Sequence, residues 1–448
     1  MSDTVPPPPP GEPGAVRVRS TRAPHAPGYA LDDAVLQGLA PDGGLFVPER
    51  IPPLPTGWRD AHTPAELLAR VLAPWWGEEV DDVASWMTDA LDFPLPLRPL
   101  SDERWLLELF HGPTASFKDV GARVLARLVA RTLTRRGARA TVLVATSGDT
   151  GSAVADGFAG MPGVRVVLLY PRGKVSDIQE RQLIKARPGV RTFAVEGDFD
   201  DTQRLVKQAF RDPALAPLNL TSANSINVGR LLPQMAYYLW GARTLGREHG
   251  VEAPPWFVVP SGNLGNLTAG MLAGRAGLEV GGWLAALNAN DYLASYLAGR
   301  RAAYAFPPTV ATPSNAMDVG APSNFERLDA LFGAELPSLL QAESVSDEAT
   351  HARMRRTAEE DGVGVCPHTA VALEALARAR AEGRAEGPAI VLATAHPAKF
   401  PDAVRRATGG PPPRSVALEA LQEGPVQVEP LAATDVALRE ALLAGRSA

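Results

Sequence analysis

Lys118 stands in the run His111-Gly-Pro-Thr-Ala-Ser-Phe-Lys118-Asp119, between a β-like segment at Leu106 to Phe110 and a long segment with apolar residues at Val120, Val124, Leu125, Leu128 and Val129. That spacing predicts a strand, a tight loop and a helix beginning at the lysine. A cation is disfavoured at the positive end of a helix dipole, so the amine is expected to have a lowered pKa and to be available as a nucleophile. A loop lysine is ordinarily a solvated charge; three further loops set this one apart.

Thr146-Ser-Gly-Asp-Thr-Gly151 follows the apolar run Thr141 to Ala145 and opens a helix at Ser152 to Phe158. Ser261-Gly-Asn-Leu-Gly-Asn266 follows Trp256 to Pro260 and opens a helix at Leu267 to Ala276. Small hydroxyls and free N–H groups at a helix N-terminus make an anion site, and glycines let a backbone approach a phosphate closely. Neither loop has the G-x-G-x-x-G or Walker spacing, which argues against a dinucleotide or a nucleoside triphosphate. The fourth loop, Ala393-Thr394-Ala-His396-Pro-Ala-Lys-Phe400, follows Ala389 to Leu392 and ends a strand with a hydroxyl that could face a ring nitrogen.

Other residues support less. His111, His368 and His396 lack the i, i+4 or cysteine partners of a metal site, so no metal is expected. Cys366 and His368, two residues apart, rarely face one another productively; Cys366 is read as packing, and Met271 and Leu272 as a core stripe.

The elements positioning these loops follow from hydrophobic period. From Val16 to about Arg98 apolar residues recur at helical spacing in Leu31 to Leu39, Thr63 to Leu72 and Asp81 to Leu91, with capping residues near each start. This predicts a mostly helical segment over residues 16–98. Beyond Leu100, continuously apolar runs (WLLELF, TVLVAT, VRVVLLY, VRTFAV, WFVVP, WLAAL, AIVLAT) alternate with amphipathic helices. That is the pattern of parallel sheets buried on both faces, an α/β fold, whose ligands gather at the carboxyl ends of the strands.

A chain of 448 residues, 45% hydrophobic and 21% charged, is long enough for two or three domains and too apolar for a disordered one. Net charge −6 and a pI near 5.8 leave no electrostatic footprint for nucleic acid. No stretch approaches the ~20 apolar residues of a membrane span. The N-terminus, with five consecutive prolines at 6–10, lacks the basic-then-apolar order of a secretory signal and reads as a solvated extension over residues 1–15. One cysteine, Cys366, excludes a disulfide framework and suits a reducing compartment, so a cytoplasmic protein is expected.

Taken in order, these loops resemble the threonine synthases, members of the fold type II pyridoxal-phosphate family. The resemblance runs from about Ser20 to Phe400. It also takes in Ser20-Thr21-Arg22, Gly38-Leu-Ala-Pro-Asp-Gly-Gly-Leu-Phe46, Ile178-Gln-Glu-Arg181, Asn224-Ser-Ile-Asn227, Ser314-Asn-Ala-Met-Asp318 and Cys366-Pro-His-Thr369. Pro233 interrupts the helix after Asn224, and the tail beyond Gly410 carries no matching motif.

The resemblance implies pyridoxal 5'-phosphate attached to Lys118, its phosphate held by backbone amides of Gly262, Asn263, Leu264, Gly265 and Asn266. Asp149 falls where relatives often place an asparagine beside the cofactor's 3-hydroxyl, and Thr394 falls against the pyridine nitrogen. Ser147, Thr150 and Gly151 become candidates for a substrate carboxylate, and Ser225, Asn227 and Arg230 for a substrate phosphate. The implied reaction converts O-phospho-L-homoserine and water to L-threonine and phosphate. A serine or threonine dehydratase, a phosphohomoserine phospholyase and a non-catalytic relative are the alternatives; a second phosphate site and Lys118 distinguish them. The expected organisation is a cofactor domain (99–118 and 226–410), an inserted domain (119–225), the N-terminal segment (16–98) and a C-terminal segment (411–448), in a monomer or homodimer.

Overall fold

The structure, a computed structural model, describes residues 14–87, 89–421 and 423–444. Most of the proline-rich extension, residues 1–13, lies outside the described residues.

Two sheets organise the chain. The larger has the strand order Leu340–Ser344, Gly282–Leu287, Trp256–Pro260, Ala389–Ala393, Arg104–Glu108 and Leu97–Pro99, parallel throughout except for the last, which pairs antiparallel with Arg104–Glu108. The other runs Glu429–Ala432, Val190–Glu196, Val164–Pro171, Ala140–Ala145 and Leu220–Thr221, all parallel. The α/β expectation holds, and its cause is visible in single strands. Phe257 and Val259 enter one apolar cluster while Val258 between them enters another, so both faces are covered and the strand reads as an unbroken apolar run.

The helix Lys118–Arg136 leads from the first sheet to the second. Its Val120, Val124, Leu125 and Leu128 share one cluster with Val142 and Leu168 of one sheet and Phe257 of the other.

The N-terminal segment is less helical than its periodicity suggested. Helices at Leu31–Gln37, Pro64–Trp76 and Val80–Met87 are joined by an antiparallel sheet of Tyr29–Ala30, Arg17–Ser20 and Phe46–Pro48. Strands this short carry too few residues to show an alternation. Thr63 caps the second helix, its hydroxyl accepting from Glu66 N at 3.1 Å, a contact worth about 1 kcal/mol. The C-terminal residues are also structural: Glu429–Ala432 extends the second sheet, and Leu438 and Leu442 of the helix Asp435–Ala444 join its apolar cluster.

Candidate active site

Lys118 is the first residue of its helix. The preceding loop is laced to the loop after Ala389–Ala393: Phe117 N donates to Thr394 O at 2.9 Å, His396 N donates to Ala115 O at 3.0 Å, and Ser116 bridges Ala395. Beneath it, the buried Asp119 carboxylate accepts from Thr114 N at 2.9 Å and Thr114 Oγ1 at 2.6 Å. Burial raises that carboxyl to about 6. Lys118 is thus placed at the sheet's carboxyl end with its side chain 15% exposed. Its pKa is lowered to about 8, first by loss of water, with Asp149 opposing and Arg230 and Lys399 adding to the shift. The lowered value agrees with the sequence argument; its largest cause is desolvation, where the sequence had pointed to the helix dipole.

Asp149 Oδ2 lies 3.9 Å from Lys118 Nζ. Burial would raise this carboxyl, but Lys399 and then Lys118 outweigh it and hold it well below the carboxylate range. Asp149 begins the helix Asp149–Phe158, so the loop before it presents backbone donors at a helix N-terminus. Gly148 and Gly151 donate theirs to Thr146 Oγ1, at 3.0 and 2.9 Å. Among the described residues, the N–H groups of Ser147, Asp149 and Thr150 donate to nothing. Free donors at this turn therefore come from Ser147, Asp149 and Thr150, and Gly151 is engaged.

Between the strand Trp256–Pro260 and the helix Gly265–Arg275, Leu264 takes a left-handed conformation, φ 63°. Among the described residues, none of the N–H groups from Gly262 to Asn266 donates a hydrogen bond to another group. Five free donors at a helix N-terminus fit a phosphate. A Cβ on Gly262 would come 2.7 Å from Met317 Cα, a backbone atom, so only glycine fits there, and one on Gly265 would come 3.0 Å from Ser225 Cβ, a tight contact. Thr394 is buried as a residue, and its hydroxyl makes no hydrogen bond among the described residues. These features fit pyridoxal phosphate.

The Asn224 to Arg230 segment divides. Arg230 is 3% exposed, donates to Ala223 O at 2.7 Å and Lys118 O at 3.4 Å, and forms no ion pair among the described residues. Burial lowers its pKa to about 10. Ser225 Oγ accepts from Asn263 Nδ2 at 2.7 Å, and Asn224 Oδ1 is buried without a partner. Asn227 departs from expectation: its Nδ2 donates to Val35 O and Ser222 O, and its Oδ1 accepts from Gly229 N. Fully buried and fully bonded, it holds the loop and has no free donor for an anion. Pro233 does interrupt the helix: Val228–Leu231 passes through a 3₁₀ turn, Leu232–Gln234, before Met235–His249.

Comparison with known proteins shows which family the chain is similar to. A family model described as pyridoxal-phosphate dependent enzyme matches residues 93–395, and models for the threonine synthase N terminus and C-terminal region match 17–84 and 369–442. The threonine synthase of Serratia marcescens is 41% identical over 407 residues, covering 88% of this chain and 92% of its own. The chain belongs to the threonine synthase family. Among solved structures, the pyridoxal-phosphate-bound threonine synthase from Brucella melitensis superposes with a TM-score of 0.88 at 34% identity, covering 97% of this chain and all of its own. That from Escherichia coli gives 0.86 at 36%, covering 96% and 100%.

In this threonine synthase family member, residues outside the quoted loops complete the arrangement. Asn324 Nδ2 donates to Asn263 O at 2.9 Å, while the buried Arg327 donates to Ile226 O at 2.7 Å and Phe46 O at 3.0 Å and also contacts Asn324 Oδ1. Asn324 and Arg327, at the start of the helix Phe325–Phe332, thereby tie the Asn263 and Ile226 loops to the N-terminal sheet. Glu326 on that helix accepts from Arg22 Nε and Nη2, each at 3.0 Å. Cys366 is buried beside Ala395 and Phe400, as packing. Among the described residues no group of three His, Cys, Asp or Glu side chains is placed to hold a metal, and no helix is long and apolar enough to cross a membrane.

Proposed function

We propose that the chain converts O-phospho-L-homoserine and water to L-threonine and phosphate, with Lys118 carrying the cofactor. The observation that supports this choice of substrate is Arg230: a buried guanidinium with no carboxylate partner among the described residues, beside the Lys118 backbone and the Ser225 loop. A buried unpaired cation is costly, and a phosphate would offset that cost.

When bound, pyridoxal phosphate supplies the electron sink for carbanion chemistry. The residues do the rest. The amides from Gly262 to Asn266 would hold the cofactor phosphate, and the neutral Thr394 hydroxyl would be the partner of the pyridine nitrogen. Ser147 and Thr150 bind the substrate carboxylate. Ser225 and Arg230 bind the substrate phosphate and orient its bond to Cγ. With the cofactor bound, the Lys118 amine, its pKa lowered to about 8, would take the proton from the substrate's Cα as a general base. The lone buried Cys366 suits a reducing compartment, and we place the protein in the cytoplasm.

Incubation of the purified protein with O-phospho-L-homoserine tests this reading. Phosphate and threonine are expected in equal amounts, with homoserine nearly inert. Phosphate accompanied by 2-oxobutyrate would make it a phospholyase, and pyruvate from serine with no phosphate released would make it a dehydratase.

A further inference from the structure

A second lysine lies one carboxylate away from Lys118. Lys399 follows the Thr394 loop; its side chain is fully buried, and its Nζ is 2.9 Å from Asp149 Oδ1 and donates to Thr114 O at 2.8 Å. Gln179 Nε2 donates to the same Asp149 oxygen at 3.2 Å, and Gln182 Nε2 to the same Thr114 carbonyl at 3.0 Å. Asp149 therefore sits between two amines and leans toward Lys399, 2.9 Å against 3.9 Å to Lys118. The groups facing Lys118 are Asp149, Arg230, Lys399 and His368, each from a different segment.

We propose that Lys399 is a positioning residue for the reaction: by pairing with Asp149 it withholds the carboxylate's charge from Lys118, so that the Lys118 nitrogen gives up its proton readily. In a recess shielded from water, an opposite charge a few ångströms away strongly favours the protonated amine. A carboxylate already paired with a neighbouring ammonium favours it far less. The arrangement also spares the recess an unbalanced buried charge, since Asp149 and Lys399 neutralise one another whatever the state of Lys118.

The inference rests on the proposed role of Lys118, and the test separates the two. Borohydride reduction of the holoenzyme, followed by peptide mapping, reports whether Lys118 carries the cofactor; a label elsewhere refutes that reading. With Lys118 labelled, the visible absorption of the holoenzyme is titrated with pH. In Lys399→Met the midpoint is expected to rise by about one unit, roughly tenfold in the proton equilibrium, while Lys399→Arg stays near wild type. Asp149→Asn moves the other way, because Lys118 then faces Lys399 with no carboxylate between them. The double variant Asp149→Asn/Lys399→Met returns the midpoint close to wild type. A purely structural Lys399 would destabilise the protein without this ordered pattern. Should Lys399→Met not fold, Asp149→Asn and the double variant carry the test. Midpoints that do not move, or that move alike in Lys399→Met and Lys399→Arg, overturn the proposal.

Discussion

The side chains of Asn263 and Ser225 are joined by a hydrogen bond of 2.7 Å, although 38 residues separate them in sequence. Asn263 belongs to the loop proposed to hold the cofactor phosphate and Ser225 to the loop proposed to hold the substrate phosphate. Asn263 Oδ1 meanwhile accepts from Ser323 N at 2.6 Å. Asn263→Ala should therefore loosen Ser225 without touching Lys118. A single such bond contributes about 0.5 to 1.5 kcal/mol, so KM for O-phospho-L-homoserine should rise roughly three- to tenfold with kcat little changed. A fall in kcat at constant KM would count against the assignment.

Removal of the anchoring amine is the most direct perturbation. Lys118→Ala should lower turnover by several orders of magnitude, since base and attachment point disappear together. The wild-type protein should be yellow and the variant should lack the pH-dependent visible band. Wild-type protein that stays colourless with added pyridoxal phosphate would contradict the prediction.

At Gly262 the obstacle to a side chain is backbone, the Met317 Cα at 2.7 Å. Gly262→Ala should displace the free amides and weaken pyridoxal phosphate binding by about tenfold or more, the loss of one or two charge-assisted hydrogen bonds. Fluorescence titration measures this. Wild-type affinity would show that the loop is only a turn.

Arg230→Ala should cost on the order of ten- to a hundredfold in kcat/KM for the phosphorylated substrate, the value of one charge-assisted contact. Serine turnover should change little. The guanidinium also bonds Ala223 O, so some thermal stability should be lost as well.

His368 provides a pH test of stability. Its Nε2 accepts from Ala316 N at 3.2 Å, Nδ1 is buried without a partner among the described residues, and burial lowers its pKa from 6.5 to about 4. Below pH 6.5 the unfolded chain takes a proton that the folded protein refuses. The neutral ring's contribution is therefore complete above pH 6.5 and lost as pH falls to 4, reaching about 3 kcal/mol. His368→Gln keeps an acceptor and does not titrate. The stability difference between wild type and variant should be flat above pH 7 and shift against wild type below 6.5; a difference independent of pH would show that the ring is hydrated.

The loops that follow strands were legible because each combines an apolar run, small or hydroxyl residues and a helix start within a dozen residues. Asn324 and Arg327 were not. Locally they read as the start of an ordinary amphipathic helix, and their partners Phe46 and Ile226 lie 281 and 101 residues away from Arg327. Lys399 was inside a quoted motif, yet nothing in its neighbours announces a contact with Asp149. The strand Leu340–Ser344 escaped because it lies at the edge of its sheet, where LQAES needs no apolar run. Asn227 was misread for the opposite reason: a polar residue in a suggestive loop turned out to bond only the backbone around it.

The pairing of Arg104–Glu108 with Ala389–Ala393 also orders events while the chain is being made. Lys399 reaches back 285 residues to Thr114, and Ala395 to Ser116. At 5 to 20 residues per second, the segment bearing Lys118 waits roughly 15 to 60 seconds for its neighbour to be synthesised. During that interval the Arg104–Glu108 strand can pair with Leu97–Pro99 but presents its other edge unpaired, and Asp149 has no Lys399 to meet. A nascent chain arrested before residue 389 can fold many of its helices and four of the five strands of the second sheet, yet it cannot assemble the recess around Lys118.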